Sequence, residues 1–553
     1  MQNIPNNVPN GLDRIKRVVV LMFENRSFDH LFGAFPGVRG LFSQGQLNQD
    51  YYNLPNPLLP PSPSNTPVYP TPIDPDIPQA HDFTHDFGDG MMPDLFGPVF
   101  TVTGDPALPS NPLAVFTSGY AKGQLIGATS TPPPLTYPAT NSGFYTTYNS
   151  CNQQGQAAMT YFENGSLKVL HKLASEFVLC DNWHCDMPGH TLPNRAFIHC
   201  GTTNAVSIDD TDGGMVNATS IFDVIDSCKP SANIDWKMYA PVDDCNNLGQ
   251  LDTRFLNEGL SNYQGFPLTE FAKDCKNGAL PFYSFIMCWL PGADAWTDTS
   301  MHPNALMQPG ENLLAAVYNT LRNSPCWEDT LLVVTFDENG GIYDHVFPPS
   351  AKPPTCGAQP LTQYTQGCCG NQWTLNSTFD FSLLGLRVPA ILVSPWLSKG
   401  IDSTQYQNTS VLRFLIDKLN AAYKANVGYL TQRDATAPQL NCAFSQFGVK
   451  TMREDCPVWM EPYATLPTTD PNTQSNAIPF ASGTLSPWSP PLNMNAAPPV
   501  PYINELLNIY LNSLPGHPDS GKNITRAFVD NNSVNEYIEE RLQAAGQKAS
   551  GKS

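Results

Sequence analysis

The sequence predicts an α/β fold in which a mostly parallel central sheet is flanked by helices. Three observations carry this expectation. Val18-Val-Val-Leu-Met-Phe23 is a continuous apolar run that stops on the polar pair Glu24 and Asn25, the pattern of a strand buried on both faces. Thr330-Leu-Leu-Val-Val-Thr-Phe336 repeats the pattern and stops on Asp337 and Glu338. Between them strands and amphipathic helices alternate: a strand over 235–240, a helix over 268–276, a strand over 282–287 and a helix over 311–323. That rhythm marks βαβ units whose helices cover both faces of a sheet.

Taken in order, Met1 to Asp13 is polar and lacks the apolar core of a signal peptide. The first strand follows, and Asn25 or Ser27 is placed to cap a helix after it. Residues 44–78 are dense in Pro, Asn and Tyr and read as an insertion, and 90–140 continue in that style. Long loops of this kind often cover sites. A strand over 177–182 leads into a Gly/Pro-punctuated turn, Cys185 to Arg195. The rhythm fades after Tyr423, so a catalytic domain over 12–425 and an extension over 426–553 packed on it are expected. The extension holds helical candidates over 502–514 and 533–545, the second with a capping box from Ser533 and Glu536.

Ligands in open α/β sheets bind outside the carboxyl ends of the strands. Glu24 and Asn25 therefore stand either at a chemical rim or simply at a strand end with a cap. Asp337 and Glu338 repel one another unless something positive neutralises them, and a divalent cation suits carboxylate and amide oxygens. The alternative is a solvated acidic turn, with Gly340 and Gly341 for bending. Thr191 offers a hydroxyl that becomes nucleophilic once a base or a metal activates it. Asn194 and Arg195 suit phosphate oxygens.

Glu-Asn-Arg-Ser-Phe-Asp-His (24–30), Gly-x-Thr-x-Pro-Asn-Arg (189–195) and Asp-Glu-x-Gly-Gly-x-Tyr-Asp-His (337–345) together resemble the signatures of the phosphoesterase family. That family holds bacterial and plant non-specific phospholipases C and related acid phosphatases, and lies in the alkaline-phosphatase-like superfamily. His81-Asp-Phe83, His302-Pro303 before Gly310-Glu311, and the strand after Arg387 match further segments in family order. The resemblance spans about 12–425. It implies an alkaline-phosphatase-like fold and a metal held by Glu24, Asn25, Asp337, Glu338 and the nucleophile Thr191. It also implies that His81, His302 and His345 bind the phosphoryl group or protonate the leaving oxygen. Asn194, Arg195 and His190 would bind substrate. The metal is a divalent ion, with zinc favoured by the nearby histidines.

Two departures stand out. The family commonly has proline where His190 precedes the nucleophile, and a family histidine is replaced in the segment Gln407-Asn408-Thr-Ser410. His184 stands where an aromatic is usual, and packing is the expected role ahead of metal ligation. His30 and His85 flank motif residues as supporting groups.

Composition sets the surroundings. Charged residues are 14% of the chain and prolines number 53, against roughly a quarter and about half that proline share in typical chains. The net charge of −20 argues against a nucleic-acid partner and disfavours electrostatic attachment to anionic membranes. Zwitterionic head groups remain open, and aromatics such as Tyr51 and Tyr343 attract quaternary ammonium through cation–π contacts. No apolar run reaches the ~20 residues of a transmembrane helix. Fourteen cysteines point to disulfides and favour an exported enzyme, without a classical signal, over a cytoplasmic one. The expected activity is that of a metal-dependent phospholipase C acting on a phospholipid, most readily phosphatidylcholine, through a phosphothreonine. A broad acid phosphatase acting on monoesters is the near rival. A binding protein on an inactive scaffold is the remote one, resting on Asn408.

Overall fold

The computed structural model describes residues 10–56, 61–76, 78, 83, 85, 90–91, 94–95, 141–152, 154–203, 218–232, 234–240, 265–288, 298–354, 361–366, 372–377 and 381–463. His81, nearly all of the 90–140 insertion and the helices expected over 502–514 and 533–545 lie outside them. The main sheet uses β1 (Arg17–Phe23), β2 (Val178–Cys180), β3 (Trp236–Ala240), β4 (Phe266–Pro267), β5 (Tyr283–Met287), β6 (Thr330–Phe336), β7 (Ala390–Val393) and β8 (Gly400–Asp402). Their spatial order is β8-β2-β7-β6-β1-β5-β3-β4. Strand β7 runs antiparallel to both β6 and β2, while the other pairings are parallel. The sheet is thus mixed but mostly parallel, as expected.

Both apolar runs are central. Val20 pairs with Phe285 on one side and Val333 on the other, and Phe23 is level with Phe336. That register puts Glu24 and Asp337 side by side at the carboxyl edge. Burial is complete for Val18 to Phe23 and all but complete for Leu331 to Val334, which is why neither run alternates with polar residues.

Five helices matter for the site: α1 (Phe28–Phe32), α2 (Thr191–Cys200), α3 (Leu268–Lys276), α4 (Met307–Arg322) and α5 (Thr409–Tyr423). Ser27 is the cap of α1 and accepts from the His30 N–H. Helix α4 begins at Met307, ahead of the expected 311. Pro309 falls in its first turn, where a missing N–H costs nothing because that turn has no intrahelical acceptor.

Two further findings bear on the surroundings. Nine cysteines with described side chains are free, and eight of them are buried. The disulfide expectation is therefore overturned for these nine, which pack as small apolar side chains. Separately, a second apolar cluster sits beyond the sheet edge. It gathers Phe83, Met91 and Leu95 with Phe144, Tyr148, Met187, Phe197, Ile342 and Tyr343. Asn53 braces it, donating to Asn141 O at 2.9 Å and accepting from Tyr145 N at 3.1 Å. Residues 426–463 lie against the core: Met460 N donates to Asn319 at 2.7 Å and Tyr463 OH to Glu311 at 2.7 Å.

Candidate active site

Chain geometry at the end of β1 starts the site. Asn25 adopts φ 57°, a left-handed conformation that asparagine tolerates better than most residues. The bend lets Asn25 N donate to Asp337 Oδ1 at 3.0 Å. Its amide then bridges two groups: Oδ1 accepts from Thr191 Oγ1 at 3.3 Å and Nδ2 lies 3.2 Å from His85 Nε2. At the end of β6, Glu338 N donates to Asp337 Oδ1 at 2.7 Å and Gly340 N to Glu338 Oε2 at 2.6 Å.

Thr191 is the first residue of α2, with His190 at the cap. The helix start favours an anion beside it. The Thr191 hydroxyl donates to Glu24 Oε2 at 3.0 Å. Asn194 secures the preceding turn: Oδ1 accepts from Asp186 N and Met187 N, and Nδ2 donates to the carbonyls of Met187, Gly189 and His190, all within 3.1 Å. Every polar atom of Asn194 is spent on that turn. It positions Thr191 and is not available to substrate, which corrects the substrate-binding expectation. Arg195 is likewise turned inward, with NH2 2.5 Å from Glu24 Oε1 and Nε 3.5 Å from Asp337 Oδ2.

Three carboxylates, Glu24, Asp337 and Glu338, are at most 2% exposed. One guanidinium, Arg195, faces two of them. Removing uncompensated charge from water is costly, and the cost shows in protonation. Burial would raise Glu24, but Arg195, the hydrogen bond with Asp337, His302 and Thr191 together hold the carboxyl below its ordinary range. Burial and the Glu24 charge push Asp337 well above its own. The oxygen set of Glu24, Asn25, Thr191, Asp337 and Glu338 therefore fits a divalent cation.

Histidines surround this core. His85 has Nε2 3.8 Å from Glu338 Oε1 and its ring 4.9 Å from that of His190 and 6.4 Å from that of His302. Its Nδ1 lies 2.6 Å from Phe83 O, which assigns the proton to Nδ1 and turns a lone pair toward Asn25. His302 is near enough to Glu24 to lower its pKa. His85 thus stands beside Asn25, where the sequence suggests only a supporting group. The signal for it is a repeat: His81-Asp-Phe recurs as His85-Asp-Phe four residues on.

His345 belongs to a different cluster. Its Nδ1 is 2.6 Å from Asp29 Oδ2 and its ring stacks 4.2 Å from Tyr51, with no bond to Thr191 or its partners. Asp29, Asp344 and His345 stand close enough to ligate an ion. Arg387, fully buried, already supplies the positive charge, donating to Asp344 Oδ1 at 2.9 Å and Asp29 Oδ1 at 2.8 Å. His184 is structural, as expected: Nδ1 meets Gly385 O at 3.0 Å, and burial lowers its pKa to about 3.

A model of the phosphoesterase family matches residues 15–92 and 136–420. The chain belongs to the phosphoesterase family. This phosphoesterase is 29% identical over 473 residues to non-specific phospholipase C6 of Arabidopsis thaliana, covering 83% of this chain and 77% of that one. It is 27% identical over 484 residues to a non-hemolytic phospholipase C of Burkholderia pseudomallei, covering 80% and 61%. Among solved structures, a protein in the alkaline phosphatase superfamily from Vibrio parahaemolyticus aligns with 13% identity and a TM-score of 0.29, over 50% of this chain and 66% of that one. In the phosphoesterase, no helix among the described residues is long and apolar enough to cross a membrane.

Proposed function

We propose that this phosphoric diester hydrolase is a metal-dependent phospholipase C acting on glycerophospholipids, phosphatidylcholine among them. The observation that carries the reading is Thr191 Oγ1, set at a helix start between Glu24 Oε2 at 3.0 Å and Asn25 Oδ1 at 3.3 Å. The names of the relatives support the substrate class. When bound at Glu24, Asn25, Asp337, Glu338 and Thr191, a divalent ion, zinc being favoured by the adjoining histidines, supplies positive charge to phosphoryl oxygens and lowers the pKa of the hydroxyl.

The chain's own residues do the rest. Glu24 Oε2 receives the hydrogen bond of the Thr191 hydroxyl and orients its lone pairs away from the carboxylates. As Thr191 Oγ1 bonds to phosphorus its proton passes to Glu24 Oε2, the bond to the glycerol oxygen breaks, and His302 gives that oxygen a proton, so diacylglycerol leaves neutral. Water then gives its proton to His302 as it displaces Thr191, which regains its own from Glu24, and the phosphorylated head group is released. His302 is preferred to His345 as the acid because its ring stands 6.4 Å from that of His85, beside Asn25, whereas His345 is bound to Asp29. The start of α2 and the His190 ring supply hydrogen bonding to the phosphoryl oxygens, while His85, committed to Phe83 O and Asn25, holds the Asn25 amide in place.

The rival is a phosphatase for monoesters, which would use the same centre. Turnover of phosphatidylcholine in mixed micelles, compared with an aryl phosphomonoester at equal metal loading, tests the choice. Faster turnover of the diester is expected. Turnover of the monoester alone would overturn the proposal.

A further inference from the structure

Arg26 follows Glu24 and Asn25 directly, and its main-chain N–H donates to Glu338 O at 3.1 Å. It is 2% exposed, and its guanidinium is spent on two consecutive main-chain carbonyls: Nε donates to Met301 O at 2.5 Å and NH2 to His302 O at 2.8 Å. His30 and Phe162, stacked with centroids 4.9 Å apart, back it. NH1 lies 3.4 Å from His30 Nε2, and the guanidinium stands 5.9 Å from the Phe162 ring.

The segment it grips is strained. Met301 has φ 68°, a left-handed conformation that side chains other than glycine's rarely adopt. The surroundings over-determine it: Glu24 N donates to Ser300 O at 3.0 Å and His302 N to Ser300 Oγ at 3.1 Å. Gly310 makes room for the buried Met301 side chain, since a Cβ there would stand 2.3 Å from Met301 Cγ. Strain held in this way marks a place where geometry matters more than stability.

We propose that Arg26 is a positioning residue: by clamping the Met301 and His302 carbonyls it holds the strained 300–302 turn, and so the His302 ring, at the leaving-group side of the site. This deepens the reading above and rests on His302 being the acid. In this role the loss of the Arg26 guanidinium acts through His302.

General-acid catalysis matters for an alkoxide leaving group and little for a nitrophenolate, which separates this role from general damage. Arg26→Met, Arg26→Lys, His302→Gln and Arg26→Met/His302→Gln are compared on a short-chain phosphatidylcholine and on bis(p-nitrophenyl) phosphate, with metal content and melting temperature measured alongside. Arg26→Met is expected to lose about 100-fold in kcat/KM on the lipid and no more than about threefold on the aryl ester. Arg26→Lys, which keeps one donor, should recover part of the lipid activity, and it decides the matter if the methionine variant does not fold. On the lipid the double variant should be no slower than His302→Gln. Equal losses on both substrates, or a double variant whose loss is the product of the two, would overturn the clamp. His302→Gln that slows both substrates alike would remove the acid assignment and the clamp with it. A selective His302→Gln beside an unselective Arg26→Met removes the clamp alone.

Discussion

Gly340 is the residue that lets the two strand ends meet, and Gly340→Ala is the sharpest perturbation of the site from outside it. Gly340 has φ +63°, and an added Cβ would stand 2.2 Å from Asn25 O, 2.7 Å from its carbonyl carbon and 2.8 Å from its Cβ. Ordinary carbon contacts lie near ~3.5 Å, so Asn25 has to retreat by about 1 Å. Main chain cannot rotate away as a side-chain tip can. The left-handed backbone adds about 1–2 kcal/mol to the cost of folding. Asn25 bonds Asp337, Thr191 and His85 at once, and a misplacement of ~1 Å at reacting groups costs about 100-fold in rate. Steady-state kcat/KM on phosphatidylcholine should fall by about that factor, while circular dichroism shows a folded chain. Gly45→Ala is the control: φ is +78° there and nothing stands within 4 Å of an added Cβ. It carries the same backbone penalty without the clash and should keep its activity. Gly340→Ala within about threefold of the parent would refute the argument that the Asn25 bend is held by this contact.

The remaining predictions concern stability and the rival readings. His171 is locked neutral, since Nδ1 accepts from Gly165 N at 2.8 Å and Nε2 meets Leu31 O at 2.7 Å. Burial lowers its pKa from 6.5 to about 4. The unfolded chain therefore binds the proton first. The contribution is complete above pH 6.5 and is lost as pH falls toward 4, by about 3 kcal/mol in all. Urea titrations of the parent and His171→Gln at pH 7 and pH 4 should show this difference in slope, and parallel curves would contradict it. Asn408 is fully buried; it accepts from Trp183 Nε1 at 2.8 Å and donates to Phe336 O at 3.2 Å and Asp337 O at 3.1 Å. Asn408→His should lower stability by about 2–4 kcal/mol, because buried groups lose partners, and should not raise turnover. A more active, equally stable variant would revive the idea of a lost catalytic histidine.

How much of this was legible depends on how local the cause was. β1 and β6 could be read because burial on both faces leaves an unbroken apolar run, and their acidic ends were therefore placed correctly at one edge. That the edges touch follows from the pairing of Val20 with Val333, which no single segment encodes. Asn194 and Arg195 were read by side-chain chemistry alone. Their partners, the 186–190 turn and the carboxylates, are set by the fold, and these partners decide that neither points at substrate. His85 was hidden because it shares its tripeptide with His81, and its place beside Asn25 depends on tertiary packing such as that of Phe83 against Tyr148, with ring centroids 4.3 Å apart. The cysteines misled for a related reason: number and spacing do not distinguish a core filler from half of a disulfide.

The central claim is that Thr191 attacks phosphorus. Rapid quenching of the metal-loaded enzyme with phosphatidylcholine, followed by peptide mass spectrometry, tests it most directly. A phosphocholine adduct on Thr191 is expected in the parent. Thr191→Ala should form none and turn over nothing while binding its metal nearly as well. An adduct on another residue, or full turnover by Thr191→Ala, would contradict the account.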